Sequence, residues 1–178
     1  MLRYEPQHVG ALAGLARVSE ETADWVGAAD ALRRLIGALP PDLEAERLLA
    51  RHRLGAILKD RLDDVRGAEE QLVEVLAAPG GDVNVPSMLT LAAIYRERRD
   101  WLKARQLLAR AAATSQDLDE RVRLLIEASE ICANQLDDEN QAVRLRAAAG
   151  YLAAARPSRG KPTAGGLERQ LAAPLTRP

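Results

Sequence analysis

Hydrophobic residues recur along this chain at three- and four-residue spacing over stretches of 12 to 18 positions, and nowhere in strict alternation. Such spacing predicts amphipathic helices and no strands, an all-α fold. Eight helices are expected, at 7–19 and 24–38, 42–60 and 64–77, 84–98 and 101–114, and 118–135 and 139–155. Long breaks fall at Pro40-Pro41, at Pro79-Gly80-Gly81 and across the polar stretch from Thr114 to Asp119. They group the helices into four hairpins, about 7–38, 42–77, 84–114 and 118–155.

The hairpins repeat. An Asp followed four places later by an Ala occurs as Asp24 with Ala28, Asp64 with Ala68, Asp100 with Ala104 and Asp138 with Ala142, and at no other Asp. The alanines lie 40, 36 and 38 residues apart. Periods in this range mark a stack of small units that bury their apolar faces on one another, rather than one globule around a pocket. Each Asp stands just before a helix, where its carboxylate can accept from the first free backbone N–H groups, worth about 1 kcal/mol. Asp138 also has Gln141 three places on, the pattern of a capping box. Each Ala lies one turn into the second helix, where a methyl group lets the first helix approach closely.

A second level of order alternates. Asp24-Trp25 and Asp100-Trp101 lie 76 residues apart, whereas Leu62-Asp63-Asp64 and Leu136-Asp137-Asp138 lie 74 apart and follow longer first helices. Duplication of a two-hairpin block is the economical explanation.

The third hairpin carries Leu91-Ala92 and Tyr95 in its first helix and Trp101, Ala104, Leu108 and Ala111 in its second. The first offers Leu12, Leu15-Ala16, Trp25, Ala28, Leu32, Leu35 and Pro40, with Ser19 in place of the Tyr. The second gives Leu54-Gly55, Leu58, Ala68, Leu72 and Val75. The fourth gives Ala128-Ser129, Cys132, Ala142 and Ala149, with Arg146 where the others have Leu32, Leu72 and Leu108. In this pattern residues 7–155 resemble tetratricopeptide repeat (TPR) proteins, although the period exceeds that family's 34 residues.

The resemblance implies a right-handed α-solenoid of about four antiparallel helix hairpins, a TPR-like superhelix with a concave groove lined by its first helices. It would point Arg17, Leu49, His52, Ala56 and Leu89 into that groove, followed by Ala93, Arg96, Arg123, Ile126, Glu130 and Asn134. Apolar residues mixed with Arg suit an amphipathic or extended peptide carrying carboxylates, because Arg holds a carboxylate bidentately. The Lys and Asn arrangement of the chaperone-binding members is not reproduced by Ala13 and Arg17, or by Leu89 and Ala93. The resemblance thus implies a non-catalytic scaffold that binds a protein or peptide partner. The alternative is a structural or oligomerising helical-repeat portion of a larger enzyme or signalling protein.

Composition narrows the chemistry. Twenty-five basic residues against 26 acidic ones leave a net charge of −1, which provides no field to attract nucleic acid or an anionic membrane. No stretch approaches the roughly 18 uncharged apolar residues a membrane helix needs, and Met1 to His8 lacks the apolar core of a signal peptide. A cytoplasmic location without membrane contact is the expectation. Phe is absent, and all basic residues except Lys59, Lys103 and Lys161 are Arg, which suggests a GC-rich bacterial source. Cys132, flanked by Ile131 and Ala133, fits a small buried hydrophobe better than a reactive thiol.

Candidate catalytic, cofactor and metal residues are not found, so no enzyme and no cofactor are expected. His8 and His52 have no neighbours at metal-ligand spacing. The run Asp137-Asp138-Glu139 is explained by helix capping. Gly160-Lys161-Pro162-Thr163 lacks the earlier Gly and the Lys-Ser/Thr pair of a phosphate-binding loop. Trp25 and Trp101 could anchor a partner, but their place in the repeat favours packing at the hairpin turn.

At the ends, Leu2, Tyr4 and Pro6 look like the close of a preceding second helix, making residues 1–6 the remnant of an earlier repeat. Leu12 and Leu15 would then face an absent neighbour, and an uncapped end could self-associate. Residues 156–178, with four Pro, three Gly and five basic residues against Glu168, are expected to be a disordered tail. Leu167 and Leu171 leave room for a short capping helix there.

Overall fold

The structure is a computed structural model and describes residues 8–155. The remnant at 1–6, the tail at 156–178 and the motif around Lys161 lie outside the described residues. The helices are α1 (Val9–Glu21), α2 (Trp25–Ala38), α3 (Glu44–Asp60), α4 (Val65–Ala77), α5 (Val85–Glu97), α6 (Trp101–Thr114), α7 (Leu118–Gln135) and α8 (Glu139–Ala154). No strand occurs among the described residues. The bounds lie within two residues of those expected from the hydrophobic period. A 3₁₀ turn, Gly81–Val83, interrupts the α4–α5 link and leaves no periodic signal in the sequence.

All four repeated Asp residues cap a helix. Their carboxylates accept from the backbone N–H three residues on, at Gly27 (3.0 Å), Gly67 (2.9 Å), Lys103 (3.4 Å) and Gln141 (3.0 Å). The residue before each Asp is left-handed: Ala23 (φ 58°), Asp63 (54°), Arg99 (59°) and Asp137 (51°). That conformation turns the chain back, so the Asp N–H donates to a carbonyl in the last turn of the preceding helix. Asp24 reaches Ser19 and Asp100 reaches Tyr95, both five residues back. Asp64 reaches Leu58 and Asp138 reaches Cys132, both six back. The alternation between Asp-Trp and Leu-Asp-Asp is therefore also an alternation between two hydrogen-bonded turns.

This geometry corrects the capping-box expectation at Asp138. The Asp138 carboxylate caps Gln141, but its own N–H is already held by the Cys132 carbonyl at 3.0 Å and does not need the Gln141 side chain. It also exposes a weakness, because a left-handed Ala carries a Cβ against its own backbone at a cost of roughly 1–2 kcal/mol. Ala23 is exposed. Ala23→Gly is expected to raise stability by about 1 kcal/mol in urea denaturation. A lowered midpoint would show that the residue is not left-handed.

Packing runs mainly between helices adjacent in the chain, each from α1 to α8 lying on the next, with a smaller contact between α3 and α5. One apolar cluster extends from Leu12 in α1 to Leu145 in α8. Its largest fully buried side chains include Leu32, Leu54, Leu72, Met88, Ile94 and Leu124. Ala28, Ala68, Ala104 and Ala142 have no exposed surface. On the first helices Ala16, Gly55, Ala92 and Ser129 form a second series of small buried residues. A Cβ on Gly55 would stand 2.9 Å from Leu72 Cγ, which shows how close that crossing is.

Two expectations at the ends of the array change. Leu12 is 3% exposed and belongs to the core rather than facing an absent neighbour, whereas Leu15 is 47% exposed. In α8 the leucine of the other second helices is not missing but displaced by one position. Leu145, three residues after Ala142, is buried, and Arg146 turns outward to Glu139 at 3.1 Å.

Candidate functional site

Ion pairs tie the first helices to one another. Arg53 of α3 donates to Glu20 of α1 at 2.8 Å, Lys59 of α3 meets Glu97 of α5 at 3.2 Å, and Arg96 of α5 donates to Glu127 of α7. Desolvation opposes the charge on Lys59, but its bonds to Glu97 and Asp60 outweigh that and raise its pKa. A chemical consequence follows for the predicted groove residues. Arg17 pairs with Glu21 at 3.4 Å, and Arg123 faces Glu120 at 3.8 Å and Glu127 at 3.9 Å. The three arginines expected to hold a partner's carboxylates thus already face carboxylates of this chain. Such exposed pairs are worth about 0–1 kcal/mol each, so an incoming carboxylate could replace one at small cost.

The remaining predicted residues are dispersed. Leu49 and Ile126 are exposed apolar side chains, at 58% and 43%. Glu130 and Asn134 are exposed, and Ala56, Leu89 and Ala93 are half-buried. Ala93 and Arg96 share a hollow of about 420 Å³ with Glu97 and Trp101. Ile126 and Glu130 line another of about 380 Å³ on the α7–α8 side, beside Arg146 and Ala149. Arg17 and Leu49 border neither of these hollows.

His52 is half-buried, and its Nδ1 lies 3.0 Å from the Oγ of Ser87, a fully buried hydroxyl in the first turn of α5. It therefore joins α3 to α5. Burial lowers its pKa below the ordinary 6.5. The unfolded chain then binds the proton more readily than the folded one, so this contribution to stability is complete above pH 6.5 and is lost as pH falls below it. His52→Phe is expected to flatten the decline of urea midpoint between neutral and mildly acid pH. An unchanged slope would assign that decline to other groups.

Several features were not legible beforehand. Arg61, at the end of α3, stacks its guanidinium 4.6 Å above the Trp25 ring, so this Trp is held by the next hairpin as well as by its own. Only the position of Trp25 was readable, since Arg61 breaks no pattern. Cys132 is fully buried, and burial pushes its thiol pKa up, which disfavours the reactive thiolate. Among the described residues no cluster of His, Cys, Asp and Glu could hold a metal ion, and no helix is long and apolar enough to cross a membrane. A larger hollow, about 460 Å³, lies against α4, α5 and α6, away from every predicted groove residue.

No protein family's sequence profile matches the chain, and no curated protein matches it.

Proposed function

We propose that the chain is a non-catalytic scaffold of tetratricopeptide type, a right-handed solenoid whose first helices offer a groove to a peptide or protein partner. The observation that carries this reading is the fourfold turn, in which a left-handed residue, a capping Asp and a buried Ala recur in each hairpin. Helices that pack on their chain neighbours support it, because repeat arrays bury their apolar faces in this manner. The alternation of five- and six-residue turns supports an origin by duplication of a double hairpin. A bacterial cytoplasm suits the buried, unpaired thiol of Cys132.

On this reading Leu49 and Ile126 meet apolar side chains of the partner, and Arg96 and Arg123 exchange Glu127 for a partner's carboxylate. The test compares partners captured by the full chain with those captured by a Leu49→Glu, Ile126→Glu double variant. Both side chains are exposed, so the fold should survive, as a thermal melt would verify. Loss of the captured partners is the expected result. The same partners at the same yield from both proteins would overturn the groove assignment.

A further inference from the structure

The hollow against α4, α5 and α6 has a construction of its own. Residues 78–84, which join α4 to α5, contain the Pro79-Gly80-Gly81 break and the 3₁₀ turn, and are longer than the α2–α3 link (39–43) or the α6–α7 link (115–117). Next to this link lies a trough of about 460 Å³, tied to it through the bond from Arg110 to the Asp82 carbonyl. Val73, Leu76 and Ala77 of α4 form one wall, at positions i, i+3 and i+4 of one helix face. Lys103, Gln106, Leu107 and Arg110 of α6 form the other, at i, i+3, i+4 and i+7, with Leu91 and Tyr95 of α5 beneath. A wall spanning seven residues of helix runs roughly 10 Å along its axis, so the space is elongated. Val73 remains 44% exposed, and Leu76 and Leu107 are half-buried, so the described residues leave this apolar strip incompletely covered.

The charge here is one-sided. Both charged residues lining the trough are basic, Lys103 and Arg110. Lys103 is engaged, 2.9 Å from Asp100 and with its ammonium 4.9 Å above the Tyr95 ring. Arg110 differs from the groove arginines: its guanidinium donates to the Asp82 carbonyl at 3.3 Å and forms no ion pair with a described carboxylate. An apolar strip with a cation at its border and no acid in its lining is complementary to a ligand that is apolar on one side and acidic beside it.

We propose that this trough is a second docking surface, taking an amphipathic helix of a partner protein with its apolar stripe between α4 and α6 and a Glu or Asp against Arg110. Two flanking helices favour a third helix as the occupant, because helix ridges fit helix grooves at interaxial distances of about 8–10 Å. The site is independent of the first-helix groove.

The probe is a fluorescein-labelled helical peptide of about 15 residues with Leu at i, i+3 or i+4 and i+7, and Glu flanking that stripe. Its anisotropy would be followed against the full chain. Binding is expected, with about a tenfold loss on Arg110→Glu and partial recovery when the peptide's Glu residues become Lys. Val73→Glu should abolish binding, Leu49→Glu should leave it unchanged, and thermal melts of all three variants should show them folded. Absence of binding, or binding indifferent to both Arg110→Glu and Val73→Glu, would overturn the proposal. So would oleate occupying the trough in the peptide's place, or sedimentation showing that Val73→Glu dissolves a dimer of this chain.

Discussion

Replacing Gly81 by alanine is expected to cost about 3 kcal/mol, more than the same change at any other glycine among the described residues. A Cβ at Gly81 would stand 1.6 Å from the Val75 carbonyl oxygen and 2.8 Å from its carbon. Both are backbone atoms, so no side chain can rotate aside, and the end of α4 must separate from the 3₁₀ turn. Two other glycines supply the contrast. Gly80, at φ 77°, has nothing near its missing Cβ, so Gly80→Ala should cost only roughly 1–2 kcal/mol of left-handed strain. Gly37, helical and with open space around it, should gain roughly 0.5–1 kcal/mol on becoming Ala. Urea denaturation of the three variants would rank them, and a Gly81→Ala midpoint equal to wild type would refute the close approach.

Ala104→Leu is expected to cost about 1–3 kcal/mol by overpacking. Ala104 has no exposed surface, one turn into α6, where the helix meets α5. Ala92, its small counterpart on α5, is 1% exposed, so neither side of the crossing has room for three more carbons. Ala113→Leu is the control, since that residue is exposed on the same helix and should change stability by no more than about 0.5 kcal/mol. Equal thermal melts for wild type and Ala104→Leu would mean that the crossing is looser than its burial implies.

The helices were legible because their signals are local. A buried stripe repeats every three or four residues whatever it packs against, and an Asp before a helix caps it through the backbone N–H three residues on. What was not legible depends on partners distant in sequence. Arg61 on Trp25, His52 on Ser87 and Arg96 on Glu127 each join residues more than thirty apart, and an isolated Arg or His carries no mark of its partner. The displacement from Arg146 to Leu145 shows a limit of strict register: positions three and four after Ala142 border the same stripe from its two sides, and packing chose the third, burying Leu145 and leaving Arg146 outside. The trough between α4 and α6 could not be read either, since its lining comes from three helices brought together by packing rather than from a motif. Pro79-Gly80-Gly81 announced a break but not the space beside it.

Contacts confined largely to neighbouring helices also shape how the chain folds. Closing a short loop costs little entropy, and topologies of low contact order fold rapidly, so any one hairpin can form first and recruit the next. The link carrying Gly81 joins α4 and α5 by the longest route among the described helices, so closing that step costs the most loop entropy of any in the array, although by less than about 1 kcal/mol.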